Sequence, residues 1–364
     1  MRTVHLIAAA RPNFMKVAPL WHALQASGDY APVLVHTGQH YDANMSADVL
    51  ADLRLPEPDH HLGVGSGGHA EQTGRVMIAY GAVAEAERPD WLVVVGDVNS
   101  TIACALVGTK LGIRTVHLEA GLRSRDRGMP EELNRLATDV LCDVLWTPSP
   151  DADRNLLAEG IPATRISRVG NIMLDSFEMS RPAIEAADAP GALGLEPGRY
   201  AVVTLHRPSN VDEEAQLGRL VAALLQVHAR LPLVFPVHPR TAARLAATGL
   251  GATLEQAGVR LIAPLPYIRF MSLVLGAGAA ITDSGGIQEE TTYLGIPCLT
   301  LRENTERPIT IEEGTNVLAT PQTLAGLLDA ALDRGDAAPR RPEFWDGRTA
   351  ARCLDDLRAR DGGG

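Results

Sequence analysis

Short apolar runs alternate with helical segments along both halves of the chain, and this alternation is the feature that most constrains the fold. Residues 4–9 and 33–35 in the first half, and 233–237 in the second, are typical of buried strands. Amphipathic segments such as residues 213–231 stand between such runs. Strands that alternate with helices build βαβ units around a parallel sheet. The sequence therefore predicts an α/β protein with two doubly wound, Rossmann-like domains and a cleft between them.

The length of 364 residues suits two domains of ordinary size. The first domain is predicted over residues 1–172 and the second over 173–347. Residues 181–197 are rich in Ala, Pro and Gly, which is typical of a linker region.

Charge and cysteine content exclude several classes of protein. A net charge of −11 disfavours nucleic acid as a partner, because binding the phosphate backbone needs a basic surface. The cysteines at 104, 142, 298 and 353 lie far apart without a CxxC pair, which argues against zinc and disulfides and fits a cytoplasmic location. The N-terminal apolar run is too short for a signal peptide, and no apolar run reaches the roughly 18 residues of a membrane helix.

Residues 282–290, with the sequence TDSGGIQEE, predict a strand, a glycine-rich turn and the start of a helix. Ser284, Gly285 and Gly286 would present free backbone N–H groups at the positive end of the helix dipole, which favours a phosphate. Glu290, one turn into the helix, could accept both hydroxyls of a ribose. Alternatively, the glycines only make a turn and the acid only complements the dipole.

Three carboxylates are expected at the carboxyl edge of the first sheet. Asp97 and Glu119 each follow a predicted strand, and Glu131 lies in the first turn of a predicted helix. Such carboxylates, together with nearby cations, are typical of a site for acid–base catalysis. The alternative for an Asp after a strand is a helix cap. The cations expected at this edge are Arg11, Lys16 and Arg123.

The second half places further polar residues at strand ends. His206, His238 and Arg307 each follow a predicted strand, and Phe270 lies on a helix expected near the glycine-rich turn. We interpret the two histidines as functional because they occupy equivalent strand ends. The alternative is that each has only a structural role, with its ring nitrogens hydrogen-bonded within the fold. Residues 63–68 match GxGxxG, but no strand-like run precedes them, so we expect a mobile loop before a helix over 69–87 rather than a dinucleotide site.

Several motifs occur in one order across nearly the whole chain. They are ArgPro…Lys at 11–16, ThrGlyGlnHis at 37–40, GlyAsp at 96–97, GluAlaGlyLeuArg at 119–123, ProGluGluXaaAsnArg at 130–135, HisArg at 206–207, AspSerGlyGlyIleGlnGluGlu at 283–290 and GluArgPro at 306–308. Together they resemble the non-hydrolysing UDP-N-acetylglucosamine 2-epimerases. The joint match is specific, whereas no single motif is.

The resemblance implies a glycosyltransferase-B-like fold in which a C-terminal helix, within residues 348–364, rejoins the first domain. It also implies a homodimer, no metal and no redox cofactor. The implied reaction inverts C2 of UDP-GlcNAc to give UDP-ManNAc, by eliminating UDP to a 2-acetamidoglucal and adding it back. A base and an acid at C2 and a cationic cradle for UDP are needed.

The resemblance also implies roles for residues. The catalytic candidates are Asp97, Glu119, Glu131 and His206. The substrate-binding candidates are Arg11, Lys16, Gln39, Arg123, His238, Phe270, Ser284, Gly285, Gly286, Glu290 and Arg307. Among these, the diphosphate is assigned to the glycine-rich turn with Arg11 and His238, the ribose to Glu290 and the uracil to Phe270.

This chain departs from the family pattern at Asn13, where many relatives have Glu, and at Asp42 and Glu71, where relatives activated by substrate carry other residues. We therefore expect no activation by UDP-GlcNAc. The alternatives are a hydrolysing 2-epimerase that releases UDP and ManNAc, a 2-epimerase of a UDP-2,3-diacetamido uronic acid, a UDP-sugar transferase and a non-catalytic sensor.

Overall fold

The structure, a computed structural model of the chain, describes residues 1–38, 50–333 and 341–362. The chain divides into two compact units. The first unit comprises Met1–Ser180 and Glu343–Gly364, and the second comprises Arg181–Pro342.

The first unit is built around a parallel sheet of seven strands. These are β1 (Arg2–Ala8), β2 (Tyr30–His36), β3 (His60–His61), β4 (Trp91–Val95), β5 (Arg114–Leu118), β6 (Val144–Thr147) and β7 (Ile166–Arg168). Their order in the sheet is β3-β2-β1-β4-β5-β6-β7. All five residues of β4 are buried, as expected for a central strand with both faces covered.

Helices connect these strands. They are α1 (Arg11–Ser27), α2 (His69–Glu87), α3 (Asn99–Lys110), α4 (Pro130–Leu141), α5 (Pro150–Ala158) and α6 (Ile172–Ala186), with a short 3₁₀ turn over Ala163–Arg165. α1 has a proline in its first turn and ends at Gly28, whose φ of 70° is the left-handed conformation that glycine adopts without strain.

The second unit contains a parallel sheet of six strands. These are β8 (Ala201–Thr204), β9 (Leu233–Pro236), β10 (Arg260–Ile262), β11 (Ala279–Thr282), β12 (Cys298–Thr300) and β13 (Asn316–Leu318). They lie in the order β10-β9-β8-β11-β12-β13. Its apolar core includes Leu220, Phe235 and Ile281.

The remaining helices follow in chain order. They are α7 (Ala189–Ala192), α8 (Pro208–Val211), α9 (Glu214–His228), α10 (Pro239–Thr248), α11 (Leu250–Gln256), α12 (Tyr267–Leu275), α13 (Gly285–Leu294), α14 (Ile309–Glu312), α15 (Leu324–Asp333) and α16 (Thr349–Gly362). Asp361 of α16 accepts hydrogen bonds from Tyr30 and Trp91, so this last helix packs on the first unit.

Both sheets have a topological switch point, where the order of strands reverses. It lies between β1 and β4 in the first sheet and between β8 and β11 in the second. Ligands of open α/β sheets bind at the carboxyl ends of such strands, because the following loops diverge there. Asp97 follows β4 and Glu119 follows its neighbour β5, while His206 follows β8 and Ser284 follows β11.

The predicted α/β class with two Rossmann-like sheets is confirmed. The GxGxxG segment is preceded by a strand after all, which corrects the sequence interpretation. This strand, His60–His61, has only two residues and pairs with the end of β2, so it is too short to leave an apolar signature. The glycine loop itself is tied to the two residues directly after β2, through bonds from Val64 N to Thr37 O and from Gly65 N to Gly38 O.

Within the described residues, no helix is both long enough and apolar enough to cross a membrane.

Candidate functional site

At the switch point of the first sheet lies a group of charged side chains, Lys16, Asp97, Glu119 and Arg135, which we call the carboxylate cluster. Lys16 on α1 forms an ion pair with Glu119, which follows β5. The two side chains are only 12% and 7% exposed. Gly96 lies beside this ion pair: its φ is +69°, which favours glycine, and a Cβ there would lie 3.4 Å from Glu119 Oε2. Glu119 is thus held next to a cation in a nearly dry position.

Asp97 is the second carboxylate of the cluster. Its Oδ2 lies 2.5 Å from Arg135 Nη2 on α4, and its backbone oxygen accepts a bond of 2.9 Å from Asn134 Nδ2. α4 therefore fixes Asp97 through both side chain and main chain. The carboxylate remains 29% exposed, so a ligand can reach it.

Glu131, the third predicted catalytic carboxylate, is exposed in the first turn of α4. Its neighbour Glu132 is buried and accepts hydrogen bonds from Ser124, Arg125 and Arg135. Glu132 thus holds the loop after β5, while Glu131 is the carboxylate of the pair that solvent and ligands can reach.

Arg123 is engaged inside the first unit. Its side chain is 1% exposed and lies 2.7 Å from Asp139 and 2.6 Å from Glu159. Burial lowers the pKa of this guanidinium, but the bonds to Glu159 and Asp139 outweigh burial and raise it. The structure brings Arg123 together with these acids rather than with Lys16 or Asp97.

Two predicted ligand-binding residues are not placed by the structure. Gln39 lies outside the described residues, as does Asp42, and the side chain of Arg11 at the start of α1 is likewise not described. Asn13, one of the departures from the family pattern, has a local structural role. Its Oδ1 accepts a bond of 3.0 Å from Ala10 N, and its Nδ2 donates to Val95 O.

At the switch point of the second sheet, Asp283 organises the strand ends. This fully buried carboxylate follows β11 and accepts hydrogen bonds from the backbone N–H groups of His206 and Arg207 and from Asn210 Nδ2. His206 Nδ1 lies 2.8 Å from Asp283 Oδ1. Burial raises the pKa of Asp283, but the bonds from His206, Arg207 and Asn210 outweigh it and lower the pKa. An ionised Asp283 fixes a proton on Nδ1 of His206 and leaves Nε2 as the nitrogen for a ligand.

The glycine-rich turn forms an anion pocket, by which we mean Ser284, Gly285 and Gly286 with the guanidinium of Arg307. Ser284 is the N-cap of α13, and the three turn residues are half-buried while the rest of the helix up to Tyr293 is buried. A Cβ at Gly285 would lie 2.7 Å from Arg307 Nη1, so only glycine lets the guanidinium approach the helix start. Helix N–H groups and a guanidinium together suit a phosphate.

The cations around the anion pocket are held by buried acids. Arg307 Nε lies 2.8 Å from Glu289 Oε1, and Arg302 binds Glu306 with two bonds of 2.9 and 2.8 Å. Burial raises the pKa of Glu306, but Arg302 and Arg307 outweigh it and bring the pKa to about 2. Glu289 and Glu306 balance the charges of Arg307 and Arg302 and hold the two guanidinium groups in place. An added anion would therefore meet hydrogen-bond donors whose positions are already fixed.

Glu290 differs from the other acids because it has no cation as its described partner. It is 4% exposed, and Tyr267 donates a hydrogen bond of 3.0 Å to its Oε1. Burial raises the pKa of Glu290 to about 8, with the bond from Tyr267 acting in the opposite direction. Phe270 lies one turn along α12 from Tyr267 and is half-buried. A buried carboxyl beside aromatic side chains suits a sugar diol and a base.

His238 caps α10 at the end of β9. Its Nδ1 accepts a bond of 3.3 Å from Arg240 N, so the neutral ring carries its proton on Nε2 and can donate it to an anion. Burial, His206 and Arg240 lower the pKa of His238. Its ring centroid lies 5.6 Å from that of His206, so the structure brings the two predicted histidines together.

Sequence reasoning missed Asp283, Tyr267 and Arg135. Asp283 and Arg135 stand inside motifs that were singled out, and the available signal was the position of Asp283 directly before the glycine-rich turn and of Arg135 at the end of the motif at 130–135. Tyr267 stands three residues before Phe270, a spacing that places two aromatic rings on one helical face.

No group of three or more His, Cys, Asp or Glu side chains in the described ranges is arranged to hold a metal ion. The carboxylates and cations of the first unit are suited to exchanging protons, and the donors of the anion pocket in the second unit are suited to binding a nucleoside diphosphate.

Comparisons with known proteins agree with this chemistry. A family model described as UDP-N-acetylglucosamine 2-epimerase matches residues 22–358. The chain is 39% identical over 340 residues to a UDP-N-acetylglucosamine 2-epimerase of Methanococcus maripaludis, which covers 91% of this chain and 92% of that protein. It is also 39% identical over 315 residues, 86% of each protein, to a UDP-2,3-diacetamido-2,3-dideoxy-D-glucuronate 2-epimerase of Pseudomonas aeruginosa.

A solved structure is similar over nearly the whole chain. The crystal structure of Methanocaldococcus jannaschii UDP-GlcNAc 2-epimerase in complex with UDP-GlcNAc and UDP matches with a TM-score of 0.86 and 36% identity. The match covers 98% of this chain and 99% of that one.

Proposed function

The chain belongs to the UDP-N-acetylglucosamine 2-epimerase family, and from that premise we propose that it interconverts UDP-GlcNAc and UDP-ManNAc without releasing the free sugar. The observation that carries the proposal is the second unit's combination of the anion pocket with the buried carboxyl of Glu290. That combination fits the diphosphate and the ribose of UDP, two features that every candidate substrate shares.

The reaction runs as an elimination followed by an addition. The C1–O bond to UDP breaks and a carboxylate of the first unit removes the proton from C2, which leaves a 2-acetamidoglucal. A proton then returns to the other face of C2, and UDP adds back to C1. Bonds broken in the first half are remade in the second, so no external oxidant or reductant is consumed.

Asp97, Glu119 and Glu131 supply the base and the acid. The ion pair with Lys16 keeps Glu119 ionised in a buried position, and Arg135 orients Asp97 toward an accessible face. Two carboxylates held in different environments are what a proton removal on one face and a proton delivery on the other require.

The second unit stabilises the departing UDP. Negative charge grows on the diphosphate as the C1–O bond breaks, and the N–H groups at Ser284–Gly286, together with Arg307, are fixed donors for it. His206, oriented by Asp283, and His238, whose Nε2 carries the proton, supply two further groups. Donors that retain UDP until it adds back favour the non-hydrolysing outcome over release.

The proposed assignment is tested by proton NMR of UDP-GlcNAc with the protein in D2O. Deuterium entering at C2, with UDP-ManNAc growing to a steady ratio and little free UDP, is the expected result. Accumulation of UDP and ManNAc would establish the hydrolysing reaction instead. The uronate substrate of the Pseudomonas relative is assayed in parallel, and exchange at C2 with it alone would reassign the substrate.

We propose that the active form is a homodimer, and α4 supplies the support. Its buried residues are Glu132, Arg135, Thr138 and Asp139, all of them polar. Two apolar residues lie on the other face, where Leu133 is 43% exposed and Val140 is 65% exposed, whereas Leu141 at the end of the helix packs against the core. A helix whose apolar stripe faces outward is typical of a protein interface. A second copy would bury this stripe close to Glu131.

We also propose a cytoplasmic location, which the four buried free cysteines support, since thiols persist in a reducing compartment.

A further inference from the structure

His117 is a fully buried histidine of β5, two residues before Glu119, and both of its ring nitrogens are bonded. Nδ1 lies 2.6 Å from Asp139 Oδ1 on α4. Nε2 lies 2.8 Å from the backbone oxygen of Gly96. Neither the sequence motifs nor the proposed reaction uses this residue.

The partners decide how many protons the ring carries. A backbone carbonyl can only accept, so Nε2 must carry a proton to bond Gly96 O. An ionised carboxylate also only accepts, so Nδ1 must carry a proton to bond Asp139. A ring that donates from both nitrogens is the imidazolium cation.

The surroundings of Asp139 favour its ionised form. Its Oδ2 accepts a bond from Gly121 N and lies 2.7 Å from Arg123 Nη2. Burial raises the pKa of Asp139, but His117 and Arg123 outweigh it and lower the pKa. With Glu159, whose side chain is 29% exposed, on the far side of Arg123, the group holds two cations and two anions, so its charges balance. Two further titratable side chains lie near Asp139. Arg165 donates hydrogen bonds to the backbone oxygens of Asp139 and Cys142, and burial raises the pKa of the Cys142 thiol, which stays neutral.

This group connects the parts that carry the carboxylate cluster. Gly96, whose oxygen binds His117, directly precedes Asp97 and touches the ion pair of Lys16 with Glu119. Asp139 belongs to α4, the helix whose Arg135 binds Asp97. The backbone of Glu119 has a φ of +75°, in the left-handed region that is strained for glutamate, so this loop needs support from its surroundings.

We propose that His117 donates from both ring nitrogens as an imidazolium and acts as a positioning residue, locking the loops of Asp97 and Glu119 to α4. Its effect on catalysis rests on the proposed function, whereas its protonation state does not. The ring touches no substrate; it sets the distance between two carboxylates that must reach opposite faces of C2.

The protonation state is tested on the unmodified protein. In protein labelled with ¹⁵N at histidine, both ring nitrogens of His117 are expected at imidazolium chemical shifts at pH 7. The signal is assigned by its absence in His117→Gln, or by its change in Asp139→Asn if the first variant does not fold. A neutral ring with one protonated nitrogen at pH 7 would overturn the proposal.

The positioning role is tested by the split between catalysis and binding. For His117→Gln and Asp139→Asn we expect kcat to fall tenfold or more, with the Kd for UDP within twofold of the unmodified protein. The matched control is His5→Gln, since His5 is also fully buried and bonded at both ring nitrogens, to Tyr80 and Glu87. Its kcat per UDP-binding site is expected within twofold.

The outcomes separate the possible failures. If both His117→Gln and Asp139→Asn keep kcat within twofold per UDP-binding site, His117 has a merely structural role and the proposal is wrong. If the unmodified protein shows no exchange at C2 with any substrate, the proposed function fails, and the NMR signal of His117 still decides its charge.

Discussion

The two switch points share one topology but handle charge in opposite ways. In the first unit each catalytic candidate of the carboxylate cluster is paired with a cation, Glu119 with Lys16 and Asp97 with Arg135. In the second unit the cations hold Glu289 and Glu306, while Glu290 bonds a tyrosine and has a pKa of about 8. One carboxyl of the second unit is therefore mainly protonated at neutral pH, whereas the two carboxyls of the first unit each stand beside a cation.

The difference teaches that the residues after the strands, not the strand order, decide what a switch point does. Ionised carboxylates beside cations are ready to move protons, and their charge is present before substrate arrives. A buried neutral carboxyl is unfavourable in the empty protein, because burial removes the hydrogen bonds that water would make with it. The hydroxyl groups of a ligand can supply such bonds. In the proposed reaction, the first unit supplies the groups for proton transfer and the second unit recognises UDP.

Neutralising the carboxylates should separate the two functions most strongly. For Glu119→Gln and Asp97→Asn we expect kcat to fall by about 10²–10⁴-fold, the usual contribution of a positioned general acid or base. The Kd for UDP, measured by calorimetry, should stay within twofold because the anion pocket is untouched. Glu85→Gln, an exposed glutamate of α2, is the control and should keep both values. A Glu119→Gln protein with kcat within tenfold would remove Glu119 from the chemistry.

Damage to the anion pocket should have the converse effect. Arg307→Ala removes a charged donor, and a hydrogen bond to a charged group contributes about 1.5–3 kcal/mol, so the Kd for UDP should rise roughly 10- to 100-fold. Gly285→Ala should also weaken binding, because its Cβ would displace the guanidinium 2.7 Å away. Gly218→Ala in α9 meets no atom within 4 Å and is the matched control. Unchanged UDP affinity in both pocket variants would contradict the assignment.

The protonation of Glu290 predicts that UDP affinity depends on pH. Its pKa is about 8 in the empty protein, so at pH 7 it is mainly protonated, and a ribose diol that binds the carboxylate must release the proton. UDP affinity should therefore rise by about fivefold from pH 7 to pH 8, and calorimetry in buffers of different ionisation enthalpy should detect proton release. Glu290→Gln should bind UDP more weakly at both pH values and lose this dependence.

The same carboxyl affects stability with a definite sign. The folded pKa of about 8 lies above the ordinary value of 4.5, so the folded chain binds a proton that the unfolded chain has lost. Stability without ligand should fall as pH rises between these two values, and Glu290→Gln should reduce that fall. Denaturant midpoints at pH 6 and pH 8.5 measure the difference. If stability changed equally with pH in the unmodified protein and in Glu290→Gln, Glu290 would not be buried as described.

The sequence was sufficient for those parts of the site that local patterns determine. A strand followed by polar residues and a helix places Asp97 and Ser284 at the carboxyl edge of a sheet, and β11 and α13 lie where the pattern predicted them. Contacts between distant segments were not predictable. Lys16 and Glu119 are 103 residues apart, and nothing local indicated that Arg123 would be buried between acids.

The sequence also did not predict which residues of a helix face the interior. Glu131 and Glu132 are adjacent in α4, and only the packed structure shows that the first is exposed and the second is 2% exposed. The same helical phase turns Leu133 and Val140 of α4 outward, although an apolar stripe ordinarily predicts the buried face of a helix. In α4 the polar face is buried because its charged side chains hold the loops after β4 and β5.

That inverted helix yields the last prediction, on assembly. The double variant Leu133→Glu with Val140→Lys should convert a dimer into a species with the mass of one chain, 38.8 kDa, in light scattering after size exclusion. Charges on an apolar interface are poorly tolerated, whereas on a free surface they cost little. Leu332→Glu is the control, because Leu332 is an exposed leucine of the second unit at 38% and should leave the mass unchanged. UDP affinity should stay within twofold in the monomer, since the anion pocket belongs to the other unit. If the double variant keeps the dimer mass, α4 is not the interface, and its outward apolar face must be explained by something other than a second copy.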